Sequence, residues 1–113
     1  MATWPGQALA TFTLAFLALA ASPAWAAEME GAIALPPGFH IAVFASGLSA
    51  PRFMAWSARG DLLVSLPRRG QVVGLRDTSG TGQADRRWVV ADGLNLPHGL
   101  AFRDPGTLYV AET

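Results

Sequence analysis

The sequence predicts an all-β fold built from a repeated unit of about four strands. Three observations predict it. One segment of the chain matches a later one at constant spacing, short strand-forming runs alternate with Gly, Pro and Asp turns, and several runs are apolar at consecutive positions.

The repeat sets the frame. Phe39–Pro67 lies on Asp85–Thr113 at an offset of 46 residues without a gap. Val43, Ala45, Gly47, Leu48, Pro51, Ala55, Gly60, Leu62 and Val64 then meet identical residues at Val89, Ala91, Gly93, Leu94, Pro97, Ala101, Gly106, Leu108 and Val110. Glycines and prolines coincide at turn positions, which composition alone does not arrange. A β-rich period in the range of about 40–50 residues is the spacing of a propeller blade.

The strand signals follow in order. His40–Ala45 is a β-branched and aromatic run stopped by Ser46-Gly47. Arg52–Trp56 lies between Pro51 and the Ser57–Gly60 turn, and Asp61–Leu66 ends at Pro67. Gln71–Arg76 follows Arg69-Gly70, Asp77–Asp85 is a turn-rich loop, and Arg87–Ala91 closes at Asp92-Gly93. Such runs bounded by turn residues read as strands. Phe53–Trp56 and Leu62–Val64 are apolar at every position. A sheet with one wet face would alternate, so these strands are expected to be covered on both faces, as in stacked blades.

The resulting map has a first blade over 52–91, innermost strand first, and a partial second blade over 97–113 that includes Leu100–Phe102 and Thr107–Ala111. His40–Ala45 takes the repeat position of an outermost strand and is expected to be a leading outer strand. With about one and a half blades, the chain reads as the N-terminal fragment of a longer propeller. Because repeat units bury their faces on one another, and about three are needed for stability, Ala27–Thr113 alone is expected to be inactive and not stably folded.

Ahead of this domain, Ala8–Ala21 is an uncharged apolar run followed by Ser22-Pro23 and Ala24-Trp25-Ala26. Small residues at Ala24 and Ala26 suit signal peptidase, so residues 1–26 read as a cleaved signal peptide and 27–38 as an N-terminal segment leading into the β domain at 39–113. The apolar run is shorter than the roughly 20 residues of a membrane span. Export to the periplasm or medium follows, with no membrane span left in the mature chain; the alternative is an uncleaved anchor.

Composition excludes some partners. Eight Arg and Lys residues, all of them arginines, balance eight Asp and Glu, so the net charge is zero. Nucleic-acid binding calls for a basic patch, and Arg68-Arg69 and Arg86-Arg87 are pairs only. The chain has no cysteine, so disulfides do not contribute.

Several strings resemble one family. Leu35–Ile41 (LPPGFHI), Phe44–Leu48 (FASGL), Pro51–Ala55 (PRFMA) and Gly60–Ser65 (GDLLVS) are similar to the start of the L-sorbosone dehydrogenase-like proteins, relatives of the soluble quinoprotein glucose dehydrogenases. Gly93–Phe102 (GLNLPHGLAF) and Leu108–Thr113 (LYVAET) resemble the family's second blade. The resemblance implies a six-bladed propeller, periplasmic export, pyrroloquinoline quinone (PQQ) as cofactor with calcium in support, and a sugar or aldehyde substrate. The family's catalytic histidine and the cations around its quinone lie in later blades, so it assigns no catalytic residue here.

Three residues are candidates for cofactor or substrate contact at the axial mouth. His98 opens an innermost strand after Pro97, where an imidazole could accept a proton or bond a sugar hydroxyl; otherwise it is a polar cap on the strand. Asn95, three residues earlier, could bond a hydroxyl, or serve the turn. Arg52, the repeat equivalent of His98, could hold a carboxylate bidentately, or form a surface ion pair. The Asp77–Asp85 loop lacks the carboxylates and closing Glu of a calcium loop and reads as a hairpin connection, and His40 reads as structural. Two other classes stay open: a non-catalytic exported propeller that binds a ligand or partner, and a lactonase-type propeller hydrolase with an axial metal.

Overall fold

A computed structural model describes residues 31–113. The apolar run Ala8–Ala21 and the cleavage site after Ala26 lie outside the described residues. The all-β expectation is met. Six strands form two antiparallel sheets: β1 (Met54–Trp56), β2 (Leu62–Leu66), β3 (Gln71–Arg76) and β4 (Arg86–Ala91) in the order β1-β2-β3-β4, and β5 (Leu100–Asp104) with β6 (Thr107–Val110). No helix among the described residues is long and apolar enough to cross a membrane.

The turns explain the topology. Ser57 folds the β1–β2 hairpin: its N–H donates to the Asp61 carbonyl at 2.8 Å, and its hydroxyl oxygen accepts the Asp61 N–H at 3.0 Å. Pro67–Arg69 makes one 3-10 turn between β2 and β3 and ends on Gly70 in the left-handed region. Glycine is required there twice over, since a Cβ would also meet the Leu94 carbonyl oxygen at 2.4 Å. The long β3–β4 connection is organised by acids. The Asp77 carboxylate accepts the N–H groups of Ser79, Gly80, Thr81 and Gly82, and Asp85 accepts those of Thr78 and Ser79.

Both faces of the first sheet's middle strands are covered, as their unbroken apolar runs require. On one face Leu62, Val64, Leu66, Val73 and Leu75 form a core against Phe44, Ala45, Leu48 and Ala84. On the other, β1 and β2 pack beside β5, and Leu63, Ser65 and Val72 are buried. β2 is buried along its whole length, whereas β4 is exposed along nearly all of it. A strand with neighbours on both sides and above and below loses water that an edge strand keeps.

The leading strand expected at His40–Ala45 is not formed. These residues run as irregular backbone, with Phe44 accepting the Ala84 N–H at 2.8 Å. No described strand lies beside them to complete a ladder, and their apolar side chains cover the sheet's face instead of extending its edge.

The second sheet reproduces the first. Met54, Ala55 and Trp56 pair with Val64, Leu63 and Leu62, while Leu100, Ala101 and Phe102 pair with Val110, Tyr109 and Leu108. Each pair in the second set is the first shifted by 46 residues. The ladder ends also match: Arg52 N–H to Ser65 O (3.1 Å) and Ser65 N–H to Phe53 O (2.9 Å) become His98 N–H to Ala111 O and Ala111 N–H to Gly99 O, both 2.8 Å. Even the loops before them agree, with Gly47 and Gly93 at φ 68° and 69°, and Ala50 and Leu96 at φ 48° and 45°. The repeat is therefore one of conformation as well as of letters.

Candidate functional site

The starts of the two sheets' first strands meet at Ser65. Its main chain pairs with Arg52 and Phe53. Its hydroxyl oxygen accepts the Phe53 N–H at 3.1 Å and donates to the His98 carbonyl at 2.8 Å. Ser65 is fully buried, so this hydroxyl has no water to turn to, and the link joins one repeat unit to the next. Pro97, next to His98, is also buried and anchors the second strand's start. Arg52 and His98 are thus brought side by side through their backbones, as their equivalence in the repeat requires.

Their side chains differ in what they can do. Arg52 is exposed, with its guanidinium carbon 6.0 Å from the centre of the Phe53 ring, and it forms no ion pair among the described residues. It remains available for an anionic group. His98 is half-buried, and its Nδ1 accepts the Gly99 N–H at 2.7 Å. With Nδ1 used as an acceptor, the neutral ring carries its proton on Nε2. Nε2 then offers a donor to a hydroxyl or carbonyl oxygen, rather than a lone pair to a proton.

Asn95 is committed to the chain around it. Its N–H donates to Glu112 Oε2 at 2.9 Å, its carbonyl accepts the Thr113 N–H at 3.1 Å, and its side-chain amide nitrogen donates to the Thr113 carbonyl. These bonds hold the 93–97 loop against the end of the second sheet. Asn95 is exposed and its side-chain carbonyl oxygen remains open to a ligand.

Two features escaped the sequence reading. Ser65 is the central one. Its signal was a single polar residue inside the apolar run Leu62–Leu66. The second is the ion pair in which Arg76 bonds both oxygens of Asp61, with Nη2 to Oδ2 at 2.8 Å. The Arg76 hydrogen bond holds the Asp61 carboxyl below the usual carboxylate range, and the bond from Ser57 adds to this. Asp77 and Asp85 are lowered as well, Asp77 chiefly by the Gly82 N–H and Asp85 chiefly by the Thr78 hydroxyl. The oxygens of Asp77 already face main-chain donors. No cluster of three or more potential metal ligands occurs among the described residues.

By fold, the described residues define a repeat-built antiparallel β protein. No protein-family model, curated protein or solved structure matches the chain.

Proposed function

We propose that this chain is the opening of an exported β-propeller, with the first sheet as one blade and the second sheet as the inner half of the next, in a PQQ-dependent dehydrogenase of sugars or aldehydes. The observation that carries the propeller is the recurrence of one strand register, one pair of ladder ends and one loop conformation at a spacing of 46 residues. Units of that size that stack face to face are the construction principle of propellers. The dehydrogenase activity rests on the likeness of Leu35–Ser65 and Gly93–Thr113 to the sorbosone dehydrogenase-like strings.

In this reading Arg52 and His98 open adjacent innermost strands and face the axial mouth. Arg52 would meet a carboxylate, and the His98 Nε2 proton a hydroxyl or carbonyl oxygen. PQQ carries three carboxylates beside its quinone oxygens and needs several cations. Arg52 supplies one, so the described residues do not form a quinone pocket on their own, and catalysis belongs to groups outside them. The part assigned to Arg52 and His98 is to bind and orient.

Quinone titration of the exported protein tests this. It should bind PQQ and then reduce a dye with aldoses or sugar aldehydes, and Arg52→Ala should weaken quinone or substrate binding by roughly tenfold, the loss of about one charge-assisted contact. Failure to bind quinone, with metal-dependent lactone hydrolysis in its place, would move the assignment to a propeller hydrolase.

A further inference from the structure

One face of the first sheet is only partly covered. Its cross-strand neighbours are Leu63, Gly74 and Trp88 in one row, and Ser65 and Val72 in another. Arg76 and Arg86 stand directly opposite each other near its end. The second sheet covers the β1–β2 side, through the Ser65–His98 bond and the Leu94 N–H that donates to Gly70 O at 3.0 Å. The cover stops at β3. Beyond it lies an open cleft of about 450 Å³ lined by Arg76, Thr78, Arg86 and Trp88.

The floor of this cleft is closely fitted. The Trp88 indole lies flat on Gly74, where a Cβ would come within 2.4 Å of the ring, and the Arg76 guanidinium carbon sits 5.9 Å from the ring centre. The charge is unbalanced. Like charges directly opposite on paired strands repel. Asp61 neutralises Arg76, but Arg86 meets no carboxylate among the described residues.

We infer that the Trp88–Arg86 cleft is the seat of two strands that complete the second sheet at the open side of β6 and set an acidic side chain against Arg86. Two facts select this occupant. The cleft continues an interface already formed by the second sheet. In the first sheet the order β1-β2-β3-β4 shows where two more strands beside β6 would lie: above β3 and β4. The excess cation asks for a carboxylate, and the exposed Trp88 and Val90 beside it ask for apolar cover. This inference rests on the propeller reading.

Two measurements on the exported full-length protein separate the inference from that reading. The first is hydrogen exchange along β6. Ala111 N–H bonds Gly99 O, so by the alternation of an antiparallel ladder the Leu108 and Val110 amides point away from β5. They should exchange slowly. If they exchange as fast as open amides, β6 is an edge and both the propeller reading and this inference fall. The second is melting of Arg86→Glu and Arg86→Gln, with Arg59→Glu as a surface control. An acid above Arg86 predicts that Arg86→Glu melts lowest, by about 3 °C or more. An open or neutral cleft predicts the opposite order, because a Glu there would face Arg76 and remove the repulsion. Protected β6 amides with an Arg86→Glu protein as stable as the parent would overturn the acidic contact and leave the propeller standing.

Discussion

Strands β2 and β6 share a backbone and differ in surroundings. Leu62, Val64 and Leu66 in the first unit are 8%, 1% and 3% exposed. Their equivalents Leu108 and Val110 are half-buried, and Glu112 is exposed. The pairing register upstream is the same in both, residue for residue. Conformation in this protein is therefore fixed by the turns and ladder of each unit, whereas burial is fixed by what stacks on the unit. The first unit has Phe44, Ala45 and Leu48 on one face and the second sheet on the other; the second unit has the first sheet on one face only.

Matched substitutions in the two units give the largest expected effect. Leu62→Ala should cost about 2–4 kcal/mol, because a buried leucine leaves a cavity that the sheet cannot close. Leu108→Ala should cost less than about 1.5 kcal/mol, since a half-buried side chain gives up part of that transfer energy. Denaturant melts of the two variants check the difference. Equal losses would mean that a layer covers β6 as fully as β2, which would break the comparison and favour a completed second sheet.

The next effect lies where the units touch. Ser65→Ala leaves the buried His98 carbonyl and Phe53 N–H without their shared hydroxyl, at about 1–2 kcal/mol. It should also loosen His98 relative to Arg52, so the amides of Phe53 and Gly99 should exchange faster while those in β3 stay protected. Unchanged exchange at Gly99 would show that the two units are held together elsewhere, at Gly70 and Leu94 for example.

How much of this was legible in the sequence depends on the range of the interaction. Turns and registers are local: Gly47, Pro51 and Gly60, with Gly93, Pro97 and Gly106, mark them, and the strands fall close to where these residues place them. The unbroken apolar runs of β2 and β3 also gave away that both faces are covered. His40–Ala45 misled because its β-branched and aromatic residues are those of a strand, but a strand also needs a partner ladder, and that is not a local property. Ser65 was hidden for a related reason, since its hydroxyl bonds a carbonyl 33 residues away. The equivalence of Arg52 and His98 was legible; the use of the His98 Nδ1 by the Gly99 N–H was not, because it depends on the rotamer adopted.

Acid sensitivity should be a property of the first unit. The Asp61 carboxyl is lowered in the folded chain by its Arg76 hydrogen bond, and its ordinary unfolded value is about 3.9. A carboxyl whose folded value is the lower one stabilises the fold at pH above the unfolded value, and that stabilisation disappears as the pH falls through the folded value. Asp77 and Asp85 have the same sign. Melting temperature should therefore decline below about pH 4. Asp61→Asn should flatten part of that decline and cost about 1 kcal/mol near neutral pH, a modest figure because Arg76 is well exposed to solvent. An unchanged acid slope in Asp61→Asn would place the titration in the Asp77–Asp85 loop.

The smallest effect tests the half of the comparison that concerns conformation alone. Gly47 and Gly93 have φ of 68° and 69°, and a Cβ built on either meets nothing within 4 Å. Neither substitution creates a clash or a cavity, so the whole penalty is that of holding an L side chain in the left-handed region, about 1 kcal/mol. Gly47→Ala and Gly93→Ala should therefore cost the same within a few tenths of a kcal/mol, although one glycine precedes the buried unit and the other the exposed one. The same reasoning makes Ala50→Gly and Leu96→Gly a matched pair of opposite sign, since both residues already occupy the left-handed region at φ 48° and 45°. A Gly47→Ala loss well above that of Gly93→Ala would mean that the loop conformation depends on the packing behind it. Equal losses, alongside unequal ones for Leu62 and Leu108, would separate the local determinant of this fold from the stacked one.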